Sequence, residues 1–165
     1  MPTITVKTKS DEGTGGPADD TIDYGELAID GDGDLYAGIP NGVGVTKTVR
    51  IGGVHGAFDW STVTGTSQTI AINSGYFANN AGVVTFTLPT AAAVGDKITI
   101  IGKGAGGWKI AQSAGQTIYV DTSSTTTGVT GTIDGGQYES ITLICSDATS
   151  TDWIVTSSTG VLTFN

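Results

Sequence analysis

The chain has 165 residues, 26 of them glycine, only 14% charged side chains and a formal net charge of −9. That length allows one domain or two small ones with a real core. The charge excludes a nucleic-acid partner, because counterion release needs clustered cations and no Lys or Arg follows Lys109, whereas Asp121, Asp134, Glu139, Asp147 and Asp152 do.

Thr and Ser alternate with β-branched apolar residues along most of the chain. No window of a dozen residues carries the i, i+3, i+4, i+7 pattern of an amphipathic helix, so the expected fold is all-β. In chain order, a small N-terminal β-hairpin module (1–54) is expected to hold short strands near Thr3–Lys7, Glu26–Ile29, Leu35–Gly38 and Thr46–Ile51. It is poor in large apolar residues and must lean on other surfaces. Residues 55–75 are expected to connect it to a C-terminal module (76–165) of short antiparallel strands, forming a sandwich or jelly-roll-like body. There Val84, Phe86 and Leu88 share one face, as do Ile98 with Ile100, Ile118 with Val120, and Ile141 with Leu143 and Cys145. Turns rich in Gly, Asn and Asp punctuate these strands at Asn73-Ser74-Gly75, Asn79 to Gly82, Gly102 to Gly107, Ala114-Gly115 and Asp134-Gly135-Gly136. Aliphatic residues on both faces, such as Val83 beside Val84, Ile101 beside Ile100 and Ile144 beside Leu143, predict that one face meets its own core and the other a neighbouring chain.

Motifs with chemical potential read mostly as scaffold. Asp30, Asp32 and Asp34 occupy positions 1, 3 and 5 of a possible calcium loop and are the candidate metal ligands. However, Leu35 stands where a glycine is needed and Asn41 where a bidentate Glu is needed, so a tight Gly/Asp turn is the simpler reading. Gly102, Gly104 and Gly107 match the spacing G-x-G-x-x-G, yet the following residues predict strand, not the helix that a pyrophosphate site requires, so a glycine-rich hairpin is expected and no cofactor. His55 is the sole histidine and Ser61 has no nucleophile-elbow context, so no catalytic residue is assigned. Cys145, the sole cysteine, is expected to be a buried hydrophobe, and no disulfide within the chain can form. Trp60, Trp108, Trp153, Tyr76, Tyr119 and Tyr138 could stack sugars if exposed, but core or interface packing is the expected role, since Trp108 and Trp153 are in phase with core positions; Trp60 and Tyr119 are the expected exceptions and the candidate ligand-binding residues. The start, MPTITVKTKSDEG, lacks the apolar run of a signal peptide and nothing approaches a membrane span, so synthesis in a cytoplasm and no membrane partner are expected.

Two stretches carry a family resemblance. Tyr24-Gly25-Glu26-Leu27-Ala28-Ile29 through Gly33-Asp34-Leu35-Tyr36-Ala37-Gly38 to Ile51-Gly52-Gly53 resembles an element near the N-terminus of phage tail-fibre and virion appendage proteins. Asn79-Asn80-Ala81-Gly82-Val83-Val84-Thr85-Phe86-Thr87-Leu88-Pro89, continued through Val94-Gly95-Asp96 and Gly102 to Gln112 as far as Ala114-Gly115-Gln116, is similar to a β module of phage tail-fibre and surface proteins. The resemblance implies a bacteriophage virion protein, commonly a homotrimer, without cofactor or catalytic residues. It would be a fibre or spike at the virion surface, attached to other virion proteins through residues 1–54 and touching a host surface glycan or protein. Because the chain has no room for a long shaft, a capsid decoration (cement) protein or head fibre is the alternative, and a surface-polysaccharide depolymerase is a third.

Overall fold

The computed structural model describes residues 6–8, 22–23, 25–29, 33–40, 46–52 and 58–165. Every regular element among them is a strand, as the period-two alternation predicts, and no helix is long and apolar enough to cross a membrane. The chain divides into two compact units, Met1–Phe58 and Asp59–Asn165.

The first unit contains β1 (Val6–Thr8), β2 (Leu27–Ile29), β3 (Leu35–Pro40) and β4 (Thr46–Gly52), in one sheet in that order. β1 joins β2 in parallel, and β2, β3 and β4 form an antiparallel meander with a bulge between Leu35 and Tyr36. The expected hairpins are thus part of a four-stranded mixed sheet. Gly38 is needed where it stands, because a Cβ there would lie 2.3 Å from the Asp23 carbonyl oxygen. The close approach lets Gly25 and Gly38 exchange backbone hydrogen bonds with Gly38 and Glu26 respectively.

The second unit is a two-sheet sandwich. One sheet has seven strands: β5 (Asp59–Val63), β7 (Ser74–Ala78), β9 (Lys97–Gly102), β11 (Thr117–Val120), β12 (Ser123–Ser124), β14 (Ser140–Cys145) and β15 (Asp152–Thr159), in the spatial order β12-β11-β15-β14-β9-β7-β5. The other has five: β6 (Ser67–Thr69), β8 (Val84–Thr87), β10 (Trp108–Ala111), β13 (Thr132–Gly135) and β16 (Thr163–Phe164), in the order β16-β13-β10-β8-β6. From β5 to β10 the chain steps from one sheet to the other at each strand, so β5, β7 and β9 pair in parallel and so do β6, β8 and β10. This part is a flattened β-solenoid. Antiparallel pairs complete it, β14 against β9 and β15, and β13 against β10 and β16.

Two expectations change here. Residues 59–75, expected to connect modules, supply the strands of the first coil, so the second unit begins at Asp59 and not at residue 76. The Gly102–Gly107 stretch is not a hairpin, since β9 and β10 belong to different sheets; it is a corner between them.

The core follows the alternation. Ile98 and Ile100 on β9, Ile141, Leu143 and Cys145 on β14, Val84 and Phe86 on β8, and Trp108 and Ile110 on β10 all point between the sheets and are buried. Tyr76 from one sheet meets Phe86 from the other, with ring centroids 5.4 Å apart, and its hydroxyl accepts the Ala71 N–H at 2.8 Å. Burying this set removes apolar area from water at about 25 cal/mol per Å2, which is the main drive for closing the sandwich.

Candidate functional site

The solenoid corners stack backbone on backbone at one end of the second unit. Asn79 N–H donates to the Val63 carbonyl at 2.8 Å, Lys103 and Gly104 N–H both donate to the Ala78 carbonyl at 2.8 Å, and Gly106 N–H donates to the Asn80 carbonyl at 3.1 Å. The next layer is the turn after β13, where Tyr138 N–H donates to the Gly102 carbonyl at 2.7 Å and the Gln137 side-chain amide donates to the Lys103 carbonyl at 3.0 Å. The amides of the glycine motif are therefore engaged with neighbouring corners, which leaves no cradle of free N–H groups for a phosphate.

Glu139 fastens that turn to the one after β15. Its carboxylate accepts the Gly136 N–H at 2.7 Å and the Val161 N–H at 2.9 Å, and these bonds, Gly136 first, hold the carboxyl below the usual carboxylate range. The surface so built carries Tyr138, 76% exposed, and Val161, 87% exposed, with Gln137 and Lys103 also in solvent. Tyr138 holds a left-handed backbone, φ 64°. For a bulky L-residue that conformation costs about 1–2 kcal/mol.

Of the candidates named from sequence, Trp60 and Tyr119 do lie in solvent, 47% and 40% exposed. Strand register places them on the same outer face of the seven-stranded sheet: Trp60 in a row with Gly75, Thr99 and Thr142, and Tyr119 in a row with Ile154, Ile144 and Lys97. They are not one platform, because five strand spacings separate β5 from β11, about 24 Å at 4.8 Å each. Trp60 lies flat over Gly75, where a Cβ would fall 2.6 Å from its ring, and tilts against Phe77 with centroids 4.9 Å apart. Tyr138, one of the aromatics for which core or interface packing is the expected role, is more exposed than Trp60 or Tyr119. Its signal was local: it directly follows Gly135-Gly136-Gln137 in a turn.

Asp34 is a buried ion-pair partner of Arg50, with Nη1 to Oδ2 at 2.8 Å, which commits its carboxylate within the first unit; Asp30, Asp32 and His55 lie outside the described residues. Among the described residues no group of three or more His, Cys, Asp or Glu is arranged to hold a metal ion.

Two further polar features are structural. Cys145 is fully buried and its thiol donates to the Asp147 carbonyl at 3.2 Å; burial raises its pKa above the ordinary thiol value. We expect Ellman's reagent to leave the native protein unlabelled at pH 8 and to label this thiol once guanidinium unfolds the chain. Rapid native labelling would contradict that burial. Asp147 closes the turn before β15, accepting the N–H groups of Thr149, Thr151 and Asp152 and the hydroxyls of Thr149 and Thr151. The Thr149 hydroxyl, then the Asp152 amide, hold its carboxyl far below the usual range.

A carboxyl depressed in the folded state stabilises the fold when ionised. That contribution is fully present above the unfolded value, about 4, and is lost as pH falls toward the folded one. A melting-temperature series should therefore be flat near neutrality and decline below about pH 4. Asp147→Asn should melt lower at neutral pH and decline less in acid; a parallel acid decline in the variant would remove Asp147 as a source of the pH dependence.

Compared with known proteins, the chain matches no family model and no curated sequence.

Proposed function

We propose that the protein is a structural component of the bacteriophage virion, an oligomeric surface fibre or spike with a host-attachment role. The observation that carries this reading is where the resemblance falls. The stretch Asn79 to Gln116, similar to a β module of phage surface proteins, is one continuous mechanical element: one and a half coils with their stacked glycine corners, running through β8, β9 and β10. Parallel coils locked by backbone bonds resist local opening and proteolysis, which suits an exposed rigid appendage.

The outer face of the seven-stranded sheet supports assembly. Its outward rows bring Trp60, Phe77, Ile101, Ile144, Ile154 and Tyr119 onto one side, with Thr99 and Thr142 hydroxyls joined at 3.1 Å between them. Lys97 also lies in these rows, but aromatic and aliphatic enrichment is the mark of an interface centre, and a homotrimer is the assembly we propose. Light scattering of the full chain should return three times the chain mass, and a monomer would remove the trimer.

Capsid decoration is the second reading. It is favoured by the first unit, which buries only Ile22 and Ala28 among its described apolar residues and so suits docking onto another surface. Competition separates the two. Purified chain added to host cells should reduce phage adsorption if it is an attachment fibre and should leave adsorption unchanged if it is cement.

A further inference from the structure

We propose that the corner end of the second unit is a glycan-binding face organised on Tyr138, and that its ligand is a neutral, hexose-rich surface polysaccharide. The inference deepens the attachment reading and rests on it for its biological setting.

Four non-glycine residues among those described have positive φ: Asn73, Asp121, Tyr138 and Ser150. Asn and Asp adopt that region readily, since their short polar side chains bond locally. Ser150 is buried, and its hydroxyl accepts the Ala92 N–H and donates to the Ala92 carbonyl at 2.8 Å, which accounts for its conformation. Tyr138 has neither explanation. Its ring is mostly in solvent, so burial returns little of the conformational cost, and glycine would occupy the same position without strain. The fold holds the residue there nonetheless, by the bond from its N–H to Gly102 and by the Glu139 carboxylate bridging Gly136 and Val161. A strained, fixed and exposed aromatic is one that the fold does not need for itself, and such outliers gather at recognition sites.

The surroundings select the ligand. A phenol offers an apolar face to sugar C–H groups and a hydroxyl for hydrogen bonding. Beside it stand the exposed Gln137 and Lys103, joined by the bond from the Gln137 side-chain amide to the Lys103 carbonyl. These are donors and acceptors suited to hydroxyls. Lys103 is a cation at this face and Glu139 an anion next to Tyr138, and with a net charge of −9 the chain as a whole repels polymers rich in phosphate or carboxylate. The surface is made of turns and is not a cleft, so it suits a repeating polymer bound weakly by each copy and firmly by several.

The test uses full-length chain and the variant Tyr138→Gly on immobilised dextran, mannan, galactan and host-envelope polysaccharide, with heparin as the polyanion. We expect binding to at least one neutral polymer but not to heparin, a loss of at least about tenfold in the variant, and a melting temperature that is unchanged or higher. The proposal falls if the wild type binds none of the neutral polymers, if the two proteins bind equally, or if the variant melts several degrees lower. It also falls if the variant changes the oligomer mass, which would make Tyr138 a contact with a second copy. Adsorption competition keeps the two readings apart. Equal blocking by both proteins removes the Tyr138 site and leaves attachment standing. Tyr138-dependent glycan binding without any blocking keeps the site and removes attachment.

Discussion

Gly106→Ala is expected to lower the melting temperature of the second unit by roughly 15 °C, whereas Gly82→Ala, its stacking partner in the neighbouring corner, should change it by no more than about 2 °C. A Cβ on Gly106 would lie 2.1 Å from the carbonyl carbon and oxygen of Gly82 and 2.7 Å from its Cα. These are backbone atoms of a hydrogen-bonded corner and cannot swing aside as a side chain can. Relief requires pulling two coils apart, which breaks the Gly106 to Asn80 bond and strains the Lys103 and Gly104 bonds to Ala78. Overpacking of this kind costs about 3 kcal/mol, and for a unit of this size each kcal/mol moves the transition by about 4–8 °C. A Cβ on Gly82, by contrast, meets only the Asn80 side-chain oxygen at 3.5 Å, an ordinary contact. Thermal melts of the two variants side by side check the corner stack, and equal melting temperatures would contradict it.

Gln112→Leu is the second large effect, about 3 kcal/mol of destabilisation with a loosened 125–131 segment. Gln112 is buried at the end of the sandwich opposite the corners. Its amide nitrogen donates to the carbonyls of Gln116, Thr126 and Gly128, and its amide oxygen accepts the Thr125 hydroxyl. Thr125 in turn receives the Ile118 N–H at 2.9 Å, so one side chain ties β10 to the loop between β12 and β13 and, through it, to β11. Leucine fits the volume but leaves the Thr126 carbonyl and the Thr125 hydroxyl hydrogen without this partner in a buried site, at about 1–3 kcal/mol each. Hydrogen exchange should show lost protection at Ile118 and Gly128 together with a lower melting temperature. Wild-type protection in the variant would mean that the network is not what holds the loop.

The core was legible from sequence because burial repeats every second residue where both sheets cover a strand: Ile141, Leu143 and Cys145, or Ile98 and Ile100, face inward as their spacing predicts. Which sheet each strand joins was not legible. A hairpin and a corner between sheets use the same Gly, Asn and Asp residues, so Asn79–Gly82 and Gly102–Gly107 predict a turn without saying whether the next strand pairs alongside or crosses over. β5 and β6 were missed for a related reason: at the sheet edges they bury little beyond Val63, and SQT and DWSTV carry no apolar alternation. Asp34 could be read as a cation ligand only from its neighbours Asp30 and Asp32; the Arg50 that pairs with it lies 16 residues away, a distance only the β3–β4 meander closes. The exposure of Tyr138 was not legible, because the left-handed turn that directs its ring into solvent is a property of the backbone.

The central claim is that the protein belongs to the virion surface. Quantitative mass spectrometry of gradient-purified particles, referenced to the major capsid protein, tests it most directly. A surface fibre should be present at a fixed stoichiometry of a few copies to a few tens per particle, and hundreds would move the protein to the capsid shell as a decoration subunit. Its absence from washed particles, with the chain found only in the lysate of infected cells, would contradict the claim.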